Sequence, residues 1–141
     1  MRDALQNYVL VLEGLEQTKL AELEVLLDDS VEFLDPFNHT NSKAEMMAIM
    51  SHMFRSLSQV NFACDTLAID DKLACIKWTY SAHHHLLGDI KFVGMSRIEC
   101  NDSGLIISHQ DYWDSSLVYK KLPLLGRFFI MLKRRFKAKL I

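Results

Sequence analysis

The sequence predicts an α+β domain in which three helices wrap a strongly curved antiparallel sheet, leaving a cone with an apolar interior. Three observations predict it. Apolar residues recur at helical spacing up to Leu57. Four strand-like runs then follow one another with only short turns between them. Hydrophobic residues make up 50% of a 141-residue chain, which suffices for one core in one domain.

The elements follow in order. Leu5, Tyr8, Val9, Leu12 and Leu15 form one stripe of an amphipathic helix that ends near Gly14. A second short helix fits Lys19 to Leu27, with Thr18 as its N-cap. Asp28-Asp29-Ser30 breaks that pattern, and Val31 to Asp35 alternates as a short strand stopped by Pro36. Ser42 and Glu45 match a capping box, which opens a third helix carrying Met46, Met47, Ile49, Met50, Met53, Phe54 and Leu57. Strands are expected at about 60–69, 73–85, 89–100 and 104–114, with hairpin turns at Asp70-Asp71 and Asn101-Asp102-Ser103-Gly104. Consecutive strands joined by short turns form an antiparallel meander, and the helices must cover one of its faces.

Charge divides the chain. Residues 1–119 hold eight Lys and Arg against eighteen Asp and Glu, a net charge of −10. Residues 120–141 hold eight Lys and Arg and no acid. A core domain at 1–119 and a basic amphipathic extension at 120–141 are therefore expected. Cys64, Cys75 and Cys100 are odd in number and form no CxxC pair, which suits free thiols in a reducing, cytoplasmic setting. The acidic, amphipathic start does not resemble a signal peptide, and no apolar run is long enough to span a bilayer. The chain has no phosphate-binding glycine loop, nucleophile elbow or zinc signature, so neither cofactor nor metal is expected. His83-His84-His85 puts only two side chains on one strand face, without a third ligand at recognisable spacing. Nucleic-acid binding is not expected, because the tail has no base-reading module.

Tyr8-Val9, Leu26 to Asp29, Val31 to Pro36 and Gly104 to Asp114, with its H-x-D-Y-W-D ending, together resemble the nuclear transport factor 2-like superfamily. That superfamily includes ketosteroid isomerases, limonene epoxide hydrolases and SnoaL-type polyketide cyclases. The resemblance spans residues 3–114 and implies the cone fold and a homodimer formed through the outer sheet face, near Ser108, Gln110 and Tyr112. It places Asp35 where the isomerases carry their general base and Tyr8 where they carry an oxyanion-binding tyrosine. Their second oxyanion donor, a protonated Asp, falls on Ser96, a weaker donor, which argues against steroid-isomerase chemistry. The epoxide hydrolases' Asp-Arg-Asp set finds only Arg97, on the face opposite Ser96.

Strand alternation puts Leu105, Ile107, His109, Asp111 and Trp113 on one face, which by resemblance lines the cone. The candidate catalytic residues are therefore Asp35, His109, Asp111 and Tyr8. Phe33, Met50, Phe54, Trp78, Ser96 and Trp113 are the candidate ligand-binding residues. His109 and Asp111 suit proton transfer near neutral pH. They equally suit a buried polar pair bonded to each other, just as Asp35 suits a turn and Tyr8 a core tyrosine. His39, in the loop after Pro36, lies where it could reach the pocket mouth.

The expected function is a SnoaL-like domain that takes a small apolar molecule into the cone, with cofactor-free proton transfer of isomerase, cyclase or hydratase type. The alternatives are a non-catalytic ligand-binding module and a membrane-surface module. In the tail, Pro123 opens a helix rich in Leu and Phe beside Lys133, Arg134, Arg135, Lys137 and Lys139. That helix either packs on its own domain or a partner subunit, or lies on an anionic membrane surface.

Overall fold

A computed structural model describes residues 1–137. Helix α1 (Arg2–Glu13) buries Leu5, Tyr8, Val9 and Leu12, the stripe expected from their spacing. Each such burial stabilises by roughly 1.5–3 kcal/mol relative to exposure, so α1 is firmly anchored. A single 3-10 turn (Gln17–Lys19) leads into α2 (Leu20–Glu24). The second helix is thus shorter than its sequence pattern suggests, and Thr18 sits within the 3-10 turn rather than capping it. Leu27 belongs to the sheet instead: strand β1 (Leu27–Leu34) begins there, paired with Ile106, and Ile106 N–H donates to Leu26 O at 2.9 Å. Pairing with a distant strand overrides local helical spacing here.

After β2 (His39–Thr40) comes α3 (Lys43–Ser56). Ser42 is its N-cap, yet its side chain makes no cap hydrogen bond, and the Glu45 carboxylate accepts from the Thr40 hydroxyl instead. The expected capping box is therefore not formed. Strands β3 (Ser58–Asp70), β4 (Leu73–His84), β5 (Gly88–Cys100) and β6 (Ile106–Trp113) form the antiparallel meander. Their turns use residues that tolerate positive φ: Asp71 at 48°, Gly88 at 69° and Gly104 at 81°. Asn101 Oδ1 also accepts from the N–H groups of Ser103 and Leu105, both at 3.0 Å, which closes the last hairpin.

The sheet order is β2-β1-β6-β5-β4-β3. β1 runs parallel to β6, so the sheet is mixed rather than wholly antiparallel. It is curved and unclosed. Register breaks in β1, β3 and β6 mark bulges, which bend strands and increase twist. The bulge on β6 has a local consequence. Glu99 pairs with Ser108 and Cys100 with Ile106, so Ile107 has no partner. Ile106 is fully buried and Ile107 is 37% exposed. Alternation therefore holds from Trp113 back to His109 and fails at Ile107, which does not share the inner face.

The outer face carries a polar cluster. Glu32 Oε2 accepts from Ser108 Oγ and Gln110 Nε2, and Tyr112 OH donates to Gln110 Oε1. Two further helices follow the sheet, α4 (Ser116–Tyr119) and α5 (Leu125–Phe136). α5 starts two residues after Pro123, and Lys139 lies outside the described residues. No helix among them is long and apolar enough to cross a membrane.

Candidate functional site

The concave face of the sheet, α3 and the end of α1 enclose a cavity of about 650 Å³, a size that suits a small-molecule ligand. Phe33, Asp35, Met50, Phe54, Trp78, His109, Asp111 and Trp113 all line it. The inner side of α3 is only half-buried beyond Met46, because Met50, Met53 and Phe54 border this space rather than solid core. Tyr8 and Ser96 do not line the cavity; both lie behind its wall, 0% and 2% exposed.

A chain of hydrogen bonds joins five of these residues. Trp78 Nε1–H donates to Ser96 Oγ at 2.6 Å. The Ser96 hydroxyl donates to Asp111 Oδ1. His109 Nε2–H donates to the same oxygen at 2.8 Å. Tyr8 O–H donates to His109 Nδ1 at 2.7 Å. Chemistry sets the direction of the links through Ser96 and Asp111. The indole nitrogen only donates and an ionised carboxylate only accepts, so Ser96 must accept from Trp78 and give its proton to Asp111. In the neutral imidazole that donates Nε2–H to Asp111, Nδ1 is an acceptor for Tyr8. Burial, reinforced by the negative charge of Asp111, pushes the Tyr8 phenol well above its ordinary pKa and keeps that proton in place.

The strand register explains the assembly. Ser96 lies directly across from Asp111, and Trp78 is its diagonal neighbour, paired with Gly94. A Cβ on Gly94 would stand 2.3 Å from the Trp78 ring, so the indole lies flat over a position that only glycine leaves open. His109 is held edge-on by the rings of Tyr8 and Phe33, at 5.7 and 5.6 Å. Asp111 Oδ1 thus takes two donors, while Oδ2 has no hydrogen-bond partner among the described residues. The Asp111 side chain is 20% exposed and that of His109 is 6%.

Asp35 lies at the cavity, but its carboxylate is engaged elsewhere. Oδ1 accepts from the N–H groups of Phe37 and Asn38, each at 2.7 Å, and Asn38 Nδ2 bridges both oxygens at 3.1 Å. This is the turn-forming use of an aspartate. His39 is a β2 residue bonded to Glu32 Oε1 at 3.1 Å and does not line the cavity. His83 bonds Asp89 at 2.7 Å. His84 borders the cavity, but eight residues along β4 from the position facing Ser96.

Sequence reasoning found Trp78 and Trp113 in the aromatic wall, and Tyr80 by its alternation with Trp78 on β4, but missed Phe92 and Phe37. Phe92 stacks on Trp113 at 4.3 Å and on Tyr80 at 5.0 Å, and Phe37 meets Trp113 edge-on at 5.3 Å. The alternation of Ile90 and Phe92 on β5 was the available signal. Burial pushes the Tyr80 phenol up to about 12.

The family model described as a SnoaL-like domain matches residues 10–109, well over half of the chain. The chain belongs to the SnoaL-like domain family. No curated protein matches it. Among solved structures, this SnoaL-like chain is similar to a putative SnoaL-like polyketide cyclase from Shewanella putrefaciens, with TM-score 0.73, 11% identity, and 86% of this chain and 96% of that one covered. It is also similar to an LEH-like epoxide hydrolase from M. tuberculosis, with TM-score 0.67, 16% identity and 94% of each chain covered. A hypothetical protein of ketosteroid isomerase-like fold from Catenulispora acidiphila, in complex with trimethylamine, gives TM-score 0.70 and 12% identity over 84% of this chain and 90% of that one. At these identities the likeness shows the fold alone.

Proposed function

We propose that the cavity binds a small apolar molecule and that Asp111 acts on it as a general base, in cofactor-free proton transfer of isomerase, cyclase or hydratase type. The observation that carries this reading is the division of labour within the Asp111 carboxylate. Oδ1 is fixed by Ser96 and His109, which leaves Oδ2 without a partner among the described residues, on a residue that borders the cavity. A base held by two donors needs no reorganisation before it takes a proton. His109 is a positioning residue in this scheme, and Tyr8 and Trp78 hold the two ends of the chain.

The test is solvent deuterium exchange into a panel of apolar ketones and enones, followed by NMR. The wild-type chain should catalyse exchange in at least one of them, and Asp111→Asn should slow it about 100-fold or more, the usual scale for a lost base. Equal exchange by wild type and variant sinks the proposal. A second reading, non-catalytic binding, draws on the engagement of the Tyr8 and Ser96 hydroxyls inside the chain, where neither reaches a ligand. Retention of an apolar compound in native mass spectrometry, without exchange in any of the panel, favours that reading.

A further inference from the structure

We propose that α5 lies along an anionic lipid surface with its exposed apolar stripe inserted among the headgroups. The helix is scarcely anchored to the domain. Gly126 is its only fully buried residue, pressed against the Lys120 carbonyl, where a Cβ would come within 2.2 Å. Its main contacts are with α4 rather than with the sheet or the first three helices. The Phe129 ring stacks on Tyr119 at 5.3 Å, and Tyr119 in turn meets Phe37 at 5.9 Å. That stack turns one side of α5 inward and fixes which side remains outside.

The outward side carries an apolar stripe, with Ile130, 43% exposed, lying off it. Leu124, just ahead of the helix, is 84% exposed, Leu125 50%, Phe128 51%, Met131 58% and Phe136 85%. At 3.6 residues per turn these fall on one continuous arc. Arg135 lies within that arc and Arg127 and Arg134 border one edge, while Lys133 falls beyond Phe129 on the side of Gly126. Long cationic side chains at the three arginine positions can extend to phosphates while their stems cover apolar surface.

Charge decides which partner suits the stripe. From Ser115 onward the sequence has no acid, so nothing within the segment neutralises these cations. Asp114 reaches one of them, Lys133, at 3.9 Å, and this is the only ion pair α5 makes among the described residues. A second copy laid stripe to stripe would bring like charges together. An anionic lipid surface supplies both the apolar layer and the opposite charge. The rest of the chain carries −10, so attraction exists in one orientation only, with the tail toward the membrane.

The full chain should co-sediment with vesicles of equal parts phosphatidylglycerol and phosphatidylcholine at low salt, and not with phosphatidylcholine alone. High salt should release it. Neutralising Arg127, Arg134 and Arg135 together to Gln should weaken partitioning about five-fold per charge, on the order of 100-fold in all. Phe128→Ser with Met131→Ser should also abolish binding, with circular dichroism unchanged because both positions are exposed. A wild-type chain that stays in the supernatant with anionic vesicles at low salt overturns the proposal. So does binding that survives the Phe128 and Met131 changes. A lipid-free dimer that those two changes dissociate assigns the stripe to a second copy and overturns it as well.

Discussion

Replacing Tyr8 by Phe removes one oxygen from a residue with 0% exposure and leaves the ring in place. That oxygen is the donor to His109 Nδ1 at 2.7 Å. The variant loses a hydrogen bond whose net contribution is about 0.5–1.5 kcal/mol, but the larger effect falls on the partner. Nδ1 of His109, in a residue only 5% exposed, has no other donor among the described residues. A buried acceptor left unsatisfied costs about 1–3 kcal/mol, so the second figure governs the expected loss. For a domain of this size that corresponds to a fall in Tm of roughly 3–12 °C. Thermal unfolding followed by circular dichroism measures it, and the ¹⁵N shift of His109 Nδ1 reports directly on the lost donor. A Tm change of under about 1 °C, with the Nδ1 shift unmoved, would show that the phenol does not donate to His109. The directed chain from Trp78 to Tyr8 would then be wrong at its Tyr8 end.

Two further outcomes are expected. Gly94→Ala places a methyl 2.3–2.8 Å from three atoms of the Trp78 ring, against an ordinary carbon contact of about 3.5–4.0 Å, so the indole must move away from Ser96. The overpacking should lower stability by about 1–3 kcal/mol in urea unfolding and shift tryptophan fluorescence; an unchanged midpoint and spectrum would contradict the seating of Trp78. The contribution of Tyr8 and Tyr80 to stability should also be level below about pH 10 and fall above it. Tyr8 and Tyr80 have folded-state pKa values raised above the unfolded value of about 10, so the folded chain retains phenolic protons that the unfolded chain releases. For Tyr80 the loss runs from about 10 up to about 12. Unfolding midpoints that do not change between neutral pH and the top of that range would refute the burial of both hydroxyls.

Features set within a few residues were legible in the sequence, and features set by strand pairing were not. Leu5, Tyr8, Val9 and Leu12 announce α1 by spacing alone, and Asn101 to Gly104 announces the last hairpin by its side chains. The end of α2 was not legible, because Leu27 pairs with Ile106 nearly eighty residues away. The bulge at Ile107 was hidden for the same reason: it exists only in the register of β6 against β5. Alternation still placed His109, Asp111 and Trp113 together, since those residues lie on the regular side of the bulge. Asp35 shows a different limit. A residue before Pro-Phe-Asn can serve a turn or a cavity, and only the positions of two backbone N–H groups decide between them.

Ser96 ties these threads together. Read by resemblance alone, it is a weak substitute for a protonated carboxylic acid. Its register gives it another task, because it lies across from Asp111 and under the Trp78 indole. A carboxyl group at that place would confront Asp111 with a like charge or hold one of the two groups protonated. A hydroxyl instead accepts from the donor-only indole and donates to the acceptor-only carboxylate. It therefore passes polarity from Trp78 to Asp111 without adding charge to a buried wall. On the function proposed here, the departure from the isomerase pattern moves the working carboxylate from Asp35, engaged in its turn, to Asp111, which has one oxygen anchored and one without a partner among the described residues.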